Sequence, residues 1–168
     1  MTDLLRNLWY LALPARRLRC GDAFAKVMLG EPILFGRDRE GGVFALRDIC
    51  PHRGMPLSDG SFDGREVMCC YHGWKFDTQG HCLEIPSLVE EQTLNLSRIK
   101  AHSYPCREVQ GNIWVYMSAS EKPKNELPEV PRVPVVGDAI PKVQISMDFA
   151  CNIDHAVVGL MDLSLIHI

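Results

Sequence analysis

Cys50-Pro51-His52-Arg53-Gly54 and Cys69-Cys70-Tyr71-His72-Gly73-Trp74 each put a thiol and an imidazole within a single turn of chain. Each also has a Gly close behind its His, where the missing Cβ lets backbone approach a bulky group. Sixteen residues separate His52 from Cys69. Two thiolates and two imidazoles on paired loops suit either of two metal centres. Zinc would take all four in one tetrahedron. A two-iron cluster would divide them, the Cys on one iron and the His on the other. Zinc fingers commonly pair like ligands within each half, Cys with Cys and His with His. Here each half supplies one of each, as expected of two loops gripping a two-iron cluster from opposite sides.

The elements that must hold these loops are short. Residues 8–13, 31–37, 43–48, 66–71, 98–104 and 112–117 are rich in Val, Ile, Leu, Phe, Tyr and Trp and are predicted to be strands. Turn signals bound them at short intervals, among them Gly30-Glu31-Pro32, Ser58-Asp59-Gly60, Asp63-Gly64 and Gln79-Gly80. Many short strands with little helical periodicity predict an all-β fold, a small antiparallel sandwich or barrel. Pro123, Pro128, Pro131 and Pro134 mark 118–138 as a Pro-rich linker. Beyond it, 142–149 is read as another strand and 154–162 as the start of a helix, with Asp154 as its N-cap.

Bulk properties are those of an ordinary globular chain. The 168 residues are 46% apolar and 23% charged, with a formal charge of −3. No block of like charges argues for nucleic acid or an anionic membrane as the main partner. No run approaches the ~18–20 apolar residues of a membrane helix. The apolar patch at 8–13 is cut by Pro14 and followed by Arg16, Arg17 and Arg19, the wrong order for a signal peptide. A cytoplasmic location is expected. In that reducing compartment the seven cysteines are not disulfides by default, so some should be metal ligands.

The two loops, Cys-Pro-His-Arg-Gly-Met-Pro-Leu-Ser at 50–58 and Cys-Cys-Tyr-His-Gly-Trp-Lys-Phe at 69–76, resemble the cluster loops of Rieske non-haem iron oxygenase α subunits. The resemblance spans roughly residues 8–117. It implies a Rieske 2Fe–2S domain over 1–117, with Cys50, His52, Cys69 and His72 as cluster and metal ligands. One position departs from the family. Cys70 stands where Pro is usual, and Cys70-Tyr71-His72 repeats the spacing of Cys50-Pro51-His52. The resemblance nonetheless assigns Cys69. Respiratory Rieske proteins carry a further Cys in each loop; here Tyr71 occupies one such place and 53–58 holds no partner. Trp74 stands where those proteins have a serine hydroxyl near the cluster. Fewer hydrogen bonds to sulfur imply a potential toward the lower end of the roughly −150 to +300 mV Rieske range.

The resemblance carries on into 139–162, read as the truncated start of an α+β catalytic domain. In that family an Asp-x-x-His-x-x-x-x-His pattern supplies a bridging Asp and the two His of a mononuclear Fe(II) site. Asp162 matches the bridging Asp, the catalytic residue implied for this chain. Leu165 then sits where the first iron-binding His should be, and His167 does not fit the spacing. Residues 163–168 are therefore expected to be a non-native tail. Leu-Ser-Leu-Ile-His-Ile is what CTG TCT CTT ATA CAC ATC encodes, a string resembling the transposon-end adapter of sequencing libraries.

The function implied is the electron-accepting part of an oxygenase. A reductase or ferredoxin donates electrons, and the cluster relays them through a His and the bridging Asp to Fe(II) in an adjacent subunit of a homo-oligomer, a trimer. There O₂ is activated to hydroxylate or demethylate a small, aromatic molecule. The Fe(II) site belongs only to the full-length protein, so this chain alone should be inactive. The alternatives are a stand-alone Rieske ferredoxin and a zinc-stabilised binding module. Other residues receive bland readings: Cys20, Cys106 and Cys151 as small buried or half-buried residues, the His81–Cys82 pair as core or surface residues of a strand-like stretch, His102 as a strand histidine, Arg53 as packing near the cluster, Trp74 and Phe76 as apolar cover over it.

Overall fold

The computed structural model describes residues 5–89, 92, 94–120, 126–132 and 147–161. It divides into two compact units, 1–136 and 137–168. Among the described residues the first holds eleven strands: β1 (Leu8–Pro14), β2 (Ala23–Met28), β3 (Glu31–Arg37), β4 (Val43–Arg47), β5 (Ser61–Phe62), β6 (Glu66–Met68), β7 (Lys75–Asp77), β8 (Cys82–Glu84), β9 (Ser103–Tyr104), β10 (Cys106–Val109) and β11 (Asn112–Met117). They form three antiparallel sheets, ordered β1-β11-β10, β2-β3-β4-β9 and β5-β6-β7-β8.

The inner strands of the middle sheet, β3 and β4, are buried on both faces, which explains why they read as continuous apolar runs rather than alternating ones. From β3, Ile33 and Phe35 enter a core shared with Leu13, Ile113, Val115 and Met117, while Leu34 enters a second core. From β4, Ala45 joins the first, and Phe44 and Leu46 join the second. That second core also contains Val67, Phe76, Cys82 and the two thiols Cys50 and Cys69. Gly36 makes room for it: a Cβ there would lie 2.1 Å from Phe44 Cζ.

β11 is likewise buried along its whole length. Its outer face, Trp114 and Tyr116, packs with Trp9, Leu127 and Val130. The Trp9 indole N–H donates to the Pro128 carbonyl at 2.7 Å. Part of the segment expected to be a linker is thus packed against the domain, because a strand with two apolar faces needs a cover on each.

Several elements differ from the sequence expectation. The strand expected over 66–71 stops at Met68, because Cys69 opens the tip of the β6–β7 hairpin. The stretch 98–104 is mostly not strand. A 3-10 turn at Leu96–Arg98 precedes it, the Asn95 side chain accepting the Ser97 N–H at 3.0 Å, and only Ser103–Tyr104 pair with β4. Strands β2, β5, β7 and β10 are not anticipated by the sequence; they are short or compositionally mixed, and pairing decides them more than propensity does. In the second unit, helix α1 (Ile153–Met161) starts before Asp154. The Asn152 carbonyl accepts the Ala156 N–H at 3.1 Å, so Asp154 sits in the first turn, where its charge suits the helix dipole, rather than at the cap. Residues 142–146 and 162–168 lie outside the described residues. No helix among those described is long and apolar enough to cross a membrane.

Candidate metal centre

The two loops share one backbone frame. In the first, Cys50 N–H donates to the Met55 carbonyl at 2.7 Å and Gly54 N–H returns to the Cys50 carbonyl at 2.9 Å. In the second, Cys69 N–H donates to the Trp74 carbonyl at 2.9 Å and Gly73 N–H returns to the Cys69 carbonyl at 3.1 Å. Both glycines sit in the left-handed region, at φ 76° and 69°, which glycine adopts without a Cβ penalty. In this frame the counterpart of Cys50 is Cys69, not Cys70. Burial agrees: Cys50 and Cys69 are 2% and 3% exposed, whereas Cys70 faces solvent.

The frame sorts the four side chains by type. The Cys50 and Cys69 thiols meet on the apolar floor of the second core. Burial pushes the Cys50 thiol up to about 11, with the facing Cys69 thiol adding to it and the His52 and Arg53 backbone N–H groups opposing it. A proton is therefore hard to remove from Cys50 unless a cation replaces it. Above the thiols, the two imidazoles turn the same atom toward each other, His52 Nδ1 lying 3.1 Å from His72 Nδ1, with ring centroids 4.7 Å apart. Desolvation, then repulsion from His72 and Arg53, lowers the His52 pKa and favours the neutral ring that a metal needs.

Like faces like, sulfur with sulfur and nitrogen with nitrogen. Among the described residues, no group of three or more His, Cys, Asp or Glu side chains closes round a single metal ion. A lone tetrahedral zinc would require such convergence. Two adjacent irons, one facing each pair, would not, so the donors fit a two-iron cluster.

Two supporting contacts were not read from the sequence. Asp48, buried, accepts from Ser58 through both the backbone N–H (2.7 Å) and the hydroxyl (2.6 Å), tying together the ends of the first loop. A local Asp…Ser bracket is a weak signal, because polar residues at loop ends are commonly solvated. The second contact is a stack of Trp74 on His52. Phe76, expected as cover, is instead fully buried beneath the loops.

The remaining candidates lie apart. Exposed His81 pairs with Asp77 (Nδ1 to Oδ2, 3.0 Å), while its neighbour Cys82 is in the core. Cys20 and Cys151 are exposed rather than buried. Burial raises the Cys106 thiol to about 12. His102 packs edge-on against Tyr104 at 4.6 Å. Arg53 is exposed at the loop tip. Asp162 lies outside the described residues.

Residues 8–105 match the family model of the Rieske [2Fe-2S] domain. The chain is 35% identical over 137 residues to the 3-chlorobenzoate-3,4-dioxygenase oxygenase subunit of Comamonas testosteroni, covering 81% of this chain and 31% of that protein. It superposes on the crystal structure of dicamba monooxygenase bound to dicamba with a TM-score of 0.64 and 32% identity, covering 79% of this chain and 37% of that one. It also superposes on the oxygenase–ferredoxin complex of carbazole 1,9a-dioxygenase with a TM-score of 0.61 and 26% identity, covering 68% and 30%. The chain therefore spans about a third of the length of the relatives it matches. It belongs to the Rieske [2Fe–2S] domain family, in the form carried by the α subunits of Rieske non-haem iron oxygenases.

Proposed function

We propose that Cys50 and Cys69 hold one iron and His52 and His72 the other iron of a 2Fe–2S cluster, and that this domain receives electrons for an oxygenase. The observation that carries the reading is the segregation of donors: two buried thiols face each other and two Nδ1 atoms stand 3.1 Å apart on loops of matching frame. When bound, the cluster supplies transfer of one electron at a time. The chain's own part is to bind and to orient. Cys50 and Cys69 give thiolates in a dry floor, with the His52 and Arg53 amides directed at the Cys50 sulfur. His52 and His72 present Nδ1 to the metal and keep Nε2 for a proton or a hydrogen bond.

The wider role rests on the relatives. Residues 139–162 are the start of a catalytic domain of the kind that would hold a mononuclear Fe(II) and a substrate pocket. Asp162 is the carboxylate that links a cluster His to the iron site of a neighbouring subunit in a homotrimer; the likeness of 152–162 to the family's approach to that pattern supports this, with Leu165 departing from it at the first His. The electron donor is a reductase or ferredoxin, as the ferredoxin complex of the carbazole enzyme supports. The reaction is O₂-dependent hydroxylation or demethylation of a small, aromatic molecule, as the chlorobenzoate and dicamba enzymes support. The chain's seven free cysteines suit the reducing cytoplasm.

The test is composition and colour. Anaerobically reconstituted chain should hold about two iron and two acid-labile sulfide, with visible absorption that bleaches on reduction. Colourless protein with one equivalent of zinc would replace the reading with a structural metal site.

A further inference from the structure

Trp74 touches both halves of the centre. Its carbonyl accepts the Cys69 N–H at 2.9 Å, fixing a thiol of its own loop. Its ring crosses to the other loop and lies flat on His52, with centroids 4.4 Å apart and planes 4° from parallel. With planes parallel and centroids 4.4 Å apart, the pair is an offset stack, a geometry that aromatic rings favour. The indole Nε1 is buried and has no hydrogen-bond partner among the described residues. The ring is therefore held by its faces and not by its polar atom.

Among the described residues no parallel stack restrains the other imidazole. His72 is exposed, and its aromatic neighbour is Tyr71, adjacent in sequence, tilted by 42° and itself 58% exposed. A flat cross-loop stack stops one imidazole from tipping, whereas a tilted and solvated neighbour does not. The two rings are thus built to be inequivalent.

We propose that Trp74 is a positioning residue that clamps the His52 imidazole and so makes His52 the fixed member and His72 the adaptable member of the pair. The proposal rests on His52 and His72 being cluster ligands. Its physical content is that the flat face, rather than the indole N–H, sets the orientation of one metal–nitrogen bond. Loss of an outer contact of this kind typically weakens metal holding by about 10–100-fold.

The test uses the reconstituted chain with Trp74→Leu, Trp74→Phe and Tyr71→Leu, read by pulsed-EPR nitrogen couplings of the reduced cluster and by iron release to a chelator. Trp74→Leu should shift one of the two nitrogen couplings, leave the other in place, and speed iron release about tenfold. Trp74→Phe keeps a flat face and should restore both readouts. Tyr71→Leu should leave both unchanged. Wild-type couplings and release in Trp74→Leu overturn the clamp, as does failure of Trp74→Phe to rescue. Should Trp74→Leu load no cluster, Trp74→Met, which fills the space without a flat face, takes its place under the same criteria. Wild-type chain that binds no cluster overturns the ligand reading instead, so the two failures are told apart.

Discussion

Alanine at Gly54 and at Gly73 should differ in effect, although both glycines occupy the same place in the two matching loops. Each N–H donates to the carbonyl of a thiol-bearing residue, Cys50 or Cys69, and each φ is positive, 76° and 69°. An L-residue in the left-handed region costs about 1–2 kcal/mol. Part of that is returned because alanine lowers the entropy of the unfolded chain by about 0.4–1 kcal/mol. A Cβ at Gly54 meets nothing within 4 Å, so Gly54→Ala should lose only the difference, about 1 kcal/mol. At Gly73 a Cβ would stand 3.2 Å from Pro86 Cγ, inside ordinary contact distance and against a stiff ring. Mild overpacking adds about 1 kcal/mol, so Gly73→Ala should lose about 2 kcal/mol. For a chain of this size each kcal/mol lowers Tm by about 2–4 °C. Thermal unfolding of the metal-free chain, followed by circular dichroism, should therefore show a drop roughly twice as large for Gly73→Ala. Cluster loading should fall in the same order, since the strain falls on the peptide that carries each thiol. An equal or larger loss in Gly54→Ala would refute the reasoning, as would a melting point unchanged in both.

Cys69→Ser should abolish the visible cluster spectrum while Cys70→Ser retains it, because only Cys69 is buried against Cys50; retention in Cys69→Ser would reverse the choice of thiol. Asp48→Ala removes the acceptor of two short bonds at the ends of the first loop and should cost about 2–3 kcal/mol in urea denaturation; a loss within error would mean that the loop closes without its brace. Glu31 carries an acid dependence. Burial alone would raise its pKa, but hydrogen bonds from Tyr104 and Arg6 outweigh that and hold the carboxyl below its ordinary 4.5. A depressed folded-state pKa contributes stability that is complete above the unfolded value and is lost as pH falls through the folded one. The stability difference between wild type and Glu31→Gln should therefore be constant above about pH 5 and shrink in more acid solution; a difference that grows on acidification would contradict it.

The strands most legible in the sequence, Glu31–Arg37, Val43–Arg47 and Asn112–Met117, are those whose apolar runs are long enough to stand out. That these runs serve two cores at once was not legible, because a continuous apolar run looks the same whether one face or both are covered. The covering of Trp114 and Tyr116 by Leu127 and Val130 shows the difficulty: four prolines mark extended chain, and only packing says what that chain lies against. Ala23–Met28 and Lys75–Asp77 escaped notice because one is mostly exposed and the other is three residues long. Each is recruited by its neighbour's hydrogen bonds.

Sequence by itself determined the donor set and the loops that carry it. Thiolate and imidazole chemistry follows from residue type, and two residues of spacing suffice to place Cys50 and His52 on one loop tip. Tertiary structure alone decided how the donors meet. The two Nδ1 atoms face each other across twenty positions of chain, Cys69 rather than Cys70 turns inward, and the Trp74 ring lands flat on His52. Those contacts depend on how the β6–β7 hairpin packs against the loop after β4, and no local spacing encodes an angle between separate elements.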